Sequence, residues 1–221
     1  MKRQGLLLSI CILFFSFKSV LIPSPKYVAI TFDDGPKPAF SIPLLNMLDD
    51  LHIRGTFFIV GQAAKKYPDI ISRIHHSGHE LANHSYSHYR MDTLSPSAMD
   101  SEIRRANDLI YNMTRQHMTY FRPPGGRYNE ALQKILEKND MKMVLWDVNL
   151  GDYIINNGHT HIKEPGIIKE NIQRVLRRTK PGNVILMHNG GEMVMEALPV
   201  IVSHLKSEGY TFVTLSQLRS L

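Results

Sequence analysis

Cysteine is almost missing from this chain: its 221 residues hold one, Cys11, inside an apolar N-terminal segment. Past that segment there is no disulfide to form and no thiol chemistry to run. Long hydrophobic runs are missing too. The longest extends only from Leu6 to Phe15, well short of the roughly 20 residues that a membrane-spanning helix needs. No internal repeat, low-complexity tract or Ser/Gly linker breaks the chain, which excludes solenoids and points to one domain. Acids are in deficit, 20 against 26 lysines and arginines, for a formal net charge of +6. No base-reading motif accompanies that charge, so nucleic acid is not expected as a partner.

The N-terminus begins with Lys2 and Arg3 ahead of the apolar stretch, the order of an export signal. No small-x-small cleavage site follows in Ser16-Phe17-Lys18-Ser19-Val20, so a cleaved signal peptide and a retained membrane anchor both fit residues 1–26. The remaining residues, 27–221, suffice for one sizeable core. The basic clusters Lys65-Lys66, Arg104-Arg105 and Arg174 to Lys180 suit an anionic cell-wall polymer or a membrane surface, or are simply solvated faces. Oligomeric state leaves no trace in the sequence.

Apolar, β-prone segments alternate with helical ones almost to the end. Strands are expected at Tyr27 to Phe32, Thr56 to Val60, Glu80 to Ala82, Thr119 to Phe121, Lys142 to Trp146, Val184 to Met187 and Thr211 to Val213. Helices are expected between them, at Ile42 to Leu51, Pro68 to Ser77, Ser97 to Arg115, Glu130 to Asn139, Gly166 to Thr179 and Glu192 to Ser207. Such alternation makes parallel strands with helical crossovers. The fold class is therefore α/β, with about seven parallel strands in a single domain. A distorted (β/α) barrel is favoured over an open sheet because polar clusters follow several strands, where the loops of one barrel face bring them together.

Five clusters carry the chemistry. Thr31-Phe32-Asp33-Asp34-Gly35-Pro36 sets two acids at a strand end, where alternation sends adjacent side chains to opposite sides. One can hold a metal while the other handles a proton; alternatively the four letters Asp-Asp-Gly-Pro are a polar turn. His84 and His88, in His84-Ser85-Tyr86-Ser87-His88, share a face if the segment is one helical turn. Two imidazoles and a carboxylate such as Asp34 form a three-ligand divalent site with an open position. Phe121-Arg122-Pro123-Pro124-Gly125-Gly126-Arg127 supplies a guanidinium suited to clamping a carboxylate bidentately, and glycines that expose backbone N–H groups. Trp146-Asp147-Val148-Asn149-Leu150-Gly151-Asp152-Tyr153 holds the only tryptophan, and its acids also fit ordinary loop or cap roles. Met187-His188-Asn189-Gly190-Gly191 ends the sixth strand with a histidine.

In this order, and from about Tyr27 to the closing Gly209-Tyr210-Thr211-Phe212-Val213, these stretches resemble the polysaccharide deacetylases of the NodB-homology type, carbohydrate esterase family 4. The resemblance implies a distorted seven-stranded barrel that binds one divalent metal and removes acetyl groups from N-acetylated sugars. It implies Asp34, His84 and His88 as metal ligands, Asp33 as general base, Arg122 as its orienting partner, and His188 with Asp152 as the acid and its support. Gly125 resembles the backbone donor to the carbonyl oxygen; Trp146, Tyr153 and Leu186 resemble the walls of the acetyl pocket. Zinc suits this ligand set, and cobalt, nickel or manganese can take it. Tyr153, Gly125, Asn149 and Asn189 depart from the usual pattern and bear on the choice of sugar.

The substrate so implied is an acetylated glycan containing N-acetylglucosamine, either peptidoglycan or chitin-like oligomers. O-deacetylation of xylan and a wall-binding module without catalysis are the alternatives. A glycosidase fits less well, because its two carboxylates must flank a bond about 5–9.5 Å apart rather than stand next to each other. Residues 1–26 fused to a reporter active only outside the cytoplasm are expected to give signal. A silent reporter on a fusion that accumulates inside cells contradicts export.

Overall fold

The computed structural model describes residues 24–152, 165–189 and 191–221; residues 1–23, most of the segment expected to direct export, and Tyr153 lie outside them. Strand β1 (Lys26–Gly35) is the longest and the centre of the molecule. β2 (Thr56–Ile59), β3 (Glu80–Asn83), β4 (Tyr120–Phe121) and β5 (Lys142–Met143) follow on one side; β7 (Val184–His188) and β6 (Val148–Asn149) lie on the other. Every pairing is parallel, and β8 (Tyr210–Phe212) adds to the start of β1. The seven strands of the main path curl into a half-barrel, as expected from the polar clusters that follow several strands, although β6 takes a place on that path and the expected strand at Thr211 to Val213 lies off it as β8.

One expected strand is different. Lys142 to Trp146 does not run as a single strand: β5 ends at Met143, and Val144 to Asp147 cross from one sheet edge to the other before β6. Among the described residues β5 and β6 do not pair, so the barrel has a seam. The carbonyls of Val144 and Leu145 there accept from Arg122 Nε and Nη2 at 3.1 and 3.0 Å. A side chain thus replaces the missing strand partner.

Strand alternation sorts the core into two layers. Val28, Ile30 and Phe32 of β1, Phe57 and Ile59 of β2, Leu81, Phe121, Ile185 and Met187 face the helices in one large cluster. Ala29, Phe58, Ala82, Tyr120, Val144 and Val184 form a smaller one inside the barrel. On this inner face the period of two continues upward to Asp33, His84, Arg122 and His188. Four different strands therefore deliver a polar residue to the same end of the barrel.

The helices are α1 (Pro38–Asp50), α2 (Gly61–Lys66), α3 (Pro68–His76), α4 (Pro96–Thr114), α5 (Glu130–Lys138), α6 (Pro165–Arg178), α7 (Glu192–Ser207) and α8 (Leu215–Ser220). Their starts follow local chemistry: prolines open α1, α3 and α4, Ser95 caps α4, and Asn129 Oδ1 accepts from Leu132 N to cap α5. In α7 the spacing of Leu198, Ile201, Val202 and Leu205 predicts one buried face, and all four are at most 2 % exposed. Two short helices, α2 and α8, have no periodicity long enough to be read from sequence. α8 is held by a capping box between Thr214 and Gln217 and seals the bottom of the barrel with Leu215 and Leu218. Leu215 N donates to Thr56 Oγ1 at 3.0 Å, and Ser216 donates to the carboxylate of Glu80.

His79, just before β3, is 3 % exposed; its Nδ1 accepts from Gly55 N at 3.2 Å, and its Nε2 finds no partner. Burial first, and then the charge of Arg54, push its pKa from 6.5 down to about 4, with Asp49 opposing. Between those values the unfolded chain binds a proton here that the folded chain refuses. Stability is thus undiminished above pH 6.5 and falls towards pH 4, by up to about 3 kcal/mol at this one site. Urea unfolding of wild type and His79→Asn at pH 7 and pH 4.5 is expected to show a smaller acid loss in the variant; equal losses exclude His79 as a source.

Candidate active site

Asp33 and Asp34 do not alternate across the strand. β1 shifts register against β2 there, so that Phe32 to Gly35 spans the same ladder as Phe57 to Ile59. The extra residue is a bulge, with Asp34 at φ +67°. Asparagine and aspartate tolerate this left-handed backbone better than most residues, which suits an acid at the kink. The bulge turns both carboxylates towards one cavity.

His84 and His88 do not sit on a helical turn either. They lie in the loop after β3, where Ser85 and His88 take φ of +64° and +60°. Asn83 Oδ1 accepts from Ser85 N at 2.7 Å, Ser85 Oγ from His88 N at 3.0 Å, and the buried Glu102 from Ser87 N and Oγ at 2.6 and 3.0 Å. These side chains replace the helical hydrogen bonds. His84 Nδ1 lies 2.7 Å from the Arg122 carbonyl, which can only accept, so the proton is on Nδ1 and the Nε2 lone pair faces the cavity. Nε2 of His84 and of His88 approach Asp34 Oδ1 at 3.3 and 2.9 Å. The ligand atoms of the three residues all lie within 4.8 Å of one another. Two imidazole nitrogens and one carboxylate converging on a point fit a divalent cation. Burial disfavours the Asp34 carboxylate, but when both imidazoles carry a proton on each nitrogen, hydrogen bonds and charge from His84 and His88 outweigh it and hold the group far below the usual carboxylate range.

Arg122 is fully buried and meets Asp33 through a single N–H rather than a bidentate clamp: Nη1 donates to Asp33 Oδ1 at 2.7 Å and to Thr31 Oγ1 at 2.8 Å. Its Nε and Nη2 each donate to one of the seam carbonyls. The guanidinium rests on Phe58, 3.9 Å from the ring centroid. Asp33 Oδ2 remains on the cavity side, 3.8 Å from His84 Nε2.

Across the cavity Asp152 grips His188 twice, with Oδ2 accepting from the backbone N at 2.6 Å and Oδ1 from Nδ1 at 3.0 Å. Burial opposes the charged imidazolium. Asp152, with Asp33 and Asp34 further off, overcomes it, and the pKa of His188 rises above 6.5. The remaining polar residues of that loop are structural: Asp147 Oδ2 accepts from Val184 N, and Asn149 Oδ1 from Gly151 N. Asn189 is buried behind the site, where Oδ1 accepts from Ser41 Oγ and the backbone N donates to the Asp33 carbonyl.

The cavity holds about 290 Å³ and brings together Asp33, Asp34, His84, His88, Gly125, Trp146, Leu186 and His188. Arg122 and Asp152 support it from behind, and Tyr153 lies outside the described residues. Three further wall residues, Pro124, Arg90 and Arg127, have no assigned role in the sequence reading. Pro124 and Arg127 stand within the third cluster, and Arg90 stands two residues after His88. A second groove of about 470 Å³ shares Asp34 and His88 and runs over Lys37, Gln62, Lys66 and Tyr67.

A parallel barrel whose mouth joins a three-ligand cation site to a buried carboxylate and a histidine–aspartate pair defines the class of metal-dependent hydrolases. The comparisons narrow it. A family model described as polysaccharide deacetylase matches residues 22–144. A peptidoglycan-N-acetylglucosamine deacetylase of Bacillus cereus is 30 % identical over 196 residues, covering 87 % of this chain and 88 % of that protein. The peptidoglycan-N-acetylmuramic acid deacetylase PdaC of Bacillus subtilis is 32 % identical over 199 residues, 90 % of this chain and 40 % of that protein. The solved structure of PdaC superposes with a TM-score of 0.78 at 30 % identity, over 89 % of this chain and 91 % of that one. A pseudoenzyme of the same family from Bacillus anthracis superposes equally well, with a TM-score of 0.78 at 28 % identity over 89 % of this chain and 66 % of that one. This chain belongs to the polysaccharide deacetylase family, which includes enzymes named for deacetylating peptidoglycan as well as pseudoenzymes.

If Asp34, His84 and His88 are the whole protein ligand set, the purified protein is expected to carry about one divalent ion and to lose it to a chelator. His84→Ala and His88→Ala are each expected to lower metal content severalfold while circular dichroism is unchanged. Full occupancy in both variants by elemental analysis rules out this site.

Proposed function

We propose that this protein is a metal-dependent hydrolase that removes N-acetyl groups from glycans containing N-acetylglucosamine, in the peptidoglycan or chitin-like class. The observation that carries the reading is the placement of Asp33 and His188 on facing strand ends: β1 and β7 pair these two residues directly, with the cation site beside them. A base and an acid on either side of one cavity are what amide hydrolysis requires. When bound at Asp34, His84 and His88, a divalent ion, zinc first among the candidates, polarises the acetamide carbonyl and makes water acidic.

Asp33 takes the proton of the attacking water. Its single bond to Arg122 fixes one oxygen and aims the other at the cavity. The Gly125 N–H offers a donor to the carbonyl oxygen, while Leu186 and Trp146 shape the place of the methyl group. His188 then gives its proton to the departing sugar nitrogen. Because Asp152 holds Nδ1, that proton comes from Nε2, and the same contact keeps the imidazolium populated. Ester hydrolysis on acetylated xylan would run on the same groups. The relatives named for peptidoglycan support action outside the cytoplasm, reached through residues 1–26 as signal or anchor. No helix among the described residues is long and apolar enough to cross a membrane.

Acetate release from a panel of acetylated glycans tests the reading, and no release from any of them overturns it. Asp33→Asn is expected to keep the metal and lose nearly all turnover. The raised pKa of His188 means that kcat/KM holds past pH 6.5 and declines as pH rises through that pKa; Asp152→Asn is expected to move this alkaline limb to lower pH. His188→Ala should lose turnover on the amide and be at least about tenfold less impaired on an activated aryl acetate, whose leaving group hardly needs a proton. Equal losses on both substrates remove His188 from the role of acid.

A further inference from the structure

At the end of the barrel opposite the catalytic cavity the strands begin and the helices finish, and around β1, β7 and β8 this end is rich in positive charge. β1 starts there at Lys26, whose Nζ donates to the Glu208 carbonyl at 3.0 Å and lies over the Tyr210 ring. Lys180 is exposed in the turn between α6 and β7, where its backbone N donates to Asn183 Oδ1 at 2.8 Å. The last turn of α6 adds Arg177 and Arg178, the last turn of α7 adds Lys206, and α8 adds Arg219. All four are exposed. The acids of this end are fewer and are mostly turned onto protein partners. Asp49 pairs with Arg54 at 3.0 Å, Asp147 Oδ2 accepts from Val184 N, and the Glu80 carboxylate accepts from Thr56 Oγ1 and Ser216 N. Asp50 and Glu208 are left facing the cations.

Helix dipoles account for part of this pattern, because cations are favourable at helix C-termini. They do not account for Lys26 and Lys180, which stand on a strand and in a turn. A second feature marks the same end: the chain enters the domain here. The described residues begin at Ser24, two before β1. Residues 16–25, which include Lys18, are all that separates the apolar run Leu6 to Phe15 from Lys26. Fully extended, that connection reaches at most about 35 Å. Whatever holds the apolar run therefore holds the base close by. A bilayer is where such a run partitions, and a leaflet of anionic lipid is the surface that an adjoining basic face fits. Each lysine or arginine near such a leaflet tightens binding by about fivefold. A short tether raises the local concentration of the base at that surface, so that modest charge suffices.

We propose that this base is a membrane-docking face: Lys26, Lys180 and Lys206, with Arg177, Arg178 and Arg219, lie on the anionic headgroups of a lipid bilayer while the catalytic cavity points away from it. The orientation follows from the parallel topology, since β1 carries Lys26 at one end and Asp33 at the other. At about 3.3 Å per residue the mouth then stands roughly 23 Å above the docked end of the strand. It is open to polymer strands that run outside the membrane. The inference concerns the end of the barrel away from the catalytic groups and does not depend on the reaction they perform.

The test places the full chain on lipid nanodiscs of phosphatidylcholine, with or without phosphatidylglycerol, and reads the reactivity of each lysine towards a water-soluble acylating reagent by mass spectrometry. Lys180 and Lys206 are expected to react at least about fivefold more slowly on the anionic discs than on the neutral ones. Lys37 and Lys66, which line the groove beside the mouth, are expected to react alike on both. Raised salt is expected to erase the difference. Arg177→Gln, Arg178→Gln and Arg219→Gln together, with circular dichroism unchanged, are expected to bring Lys180 on anionic discs to within about twofold of its reactivity on neutral ones. Equal reactivity of the base lysines on the two lipids, protection of Lys37 and Lys66 in place of Lys180, or protection that persists in the folded triple variant each overturns the inference. The lipid comparison on the wild type decides alone if the variant does not fold. Stronger protection of Lys180 by soluble polyglycerol phosphate than by anionic discs at equal phosphate overturns it as well, and assigns the face to an anionic wall polymer.

Discussion

The buried guanidinium of Arg122 is the contact on which the rest of the site depends. Its four hydrogen bonds reach the central strand at Thr31 and Asp33 and the seam at Val144 and Leu145. Its own backbone carbonyl fixes the tautomer of His84. One residue therefore ties the central strand to the crossing segment at the seam, fixes one oxygen of Asp33 and sets the tautomer of His84. Among the described residues its charge is balanced by an ion pair with Asp33 alone, so removing either partner leaves an uncompensated buried ion, a loss of about 3–5 kcal/mol in other proteins. Lysine cannot substitute, because a single ammonium has neither the planar fork nor the reach to satisfy strand and seam together.

Around this contact the electrostatics are graded by burial. Asp33 and His84 are at most 3 % exposed, whereas His88, Arg90 and Arg127 are open to solvent. The inner groups are held from behind, Asp33 by the Arg122 guanidinium and His84 by the Arg122 carbonyl, and each turns one atom to the cavity. The outer ones are left to a ligand. Asp152 makes the same division on the far side, since its carboxylate is wholly occupied by the backbone and ring of His188, which in turn borders the cavity.

Much of this could be read from the chain because the chemistry sits at strand ends. A strand's period of two carries Asp33, His84, Arg122 and His188 to one face without any knowledge of long-range contacts, and the alternation of segments supplies the parallel order. The parts that could not be read are those in which distant side chains decide the backbone. The bulge at Asp33-Asp34 is a register shift against β2. The left-handed loop from His84 to His88 depends on Asn83 and on Glu102 from α4. The break after Met143 depends on Arg122 taking the carbonyls that a continuous strand would have offered to a neighbour. The single contact of Arg122 with Asp33, in place of a bidentate clamp, has the same origin: Nε and Nη2 are committed to the seam. α8 escapes notice because six residues are too few to show a period.

The first strand of the chain finds its partners at the chain's far end. Ala29 to Asp33 pair with Val184 to His188, and Lys26 to Val28 pair with Tyr210 to Phe212, while α8 closes the base only with the last residues of all. Contacts so remote in sequence form late, because loop closure has to precede them. The order of synthesis therefore works against early closure: while the ribosome is still adding the second half, β1 has β2 on one side and nothing on the other. The half-barrel can be completed only when the residues of β7 and β8 are available, and until then its central strand stays half-paired and open to a chaperone or to a channel that carries unfolded chains.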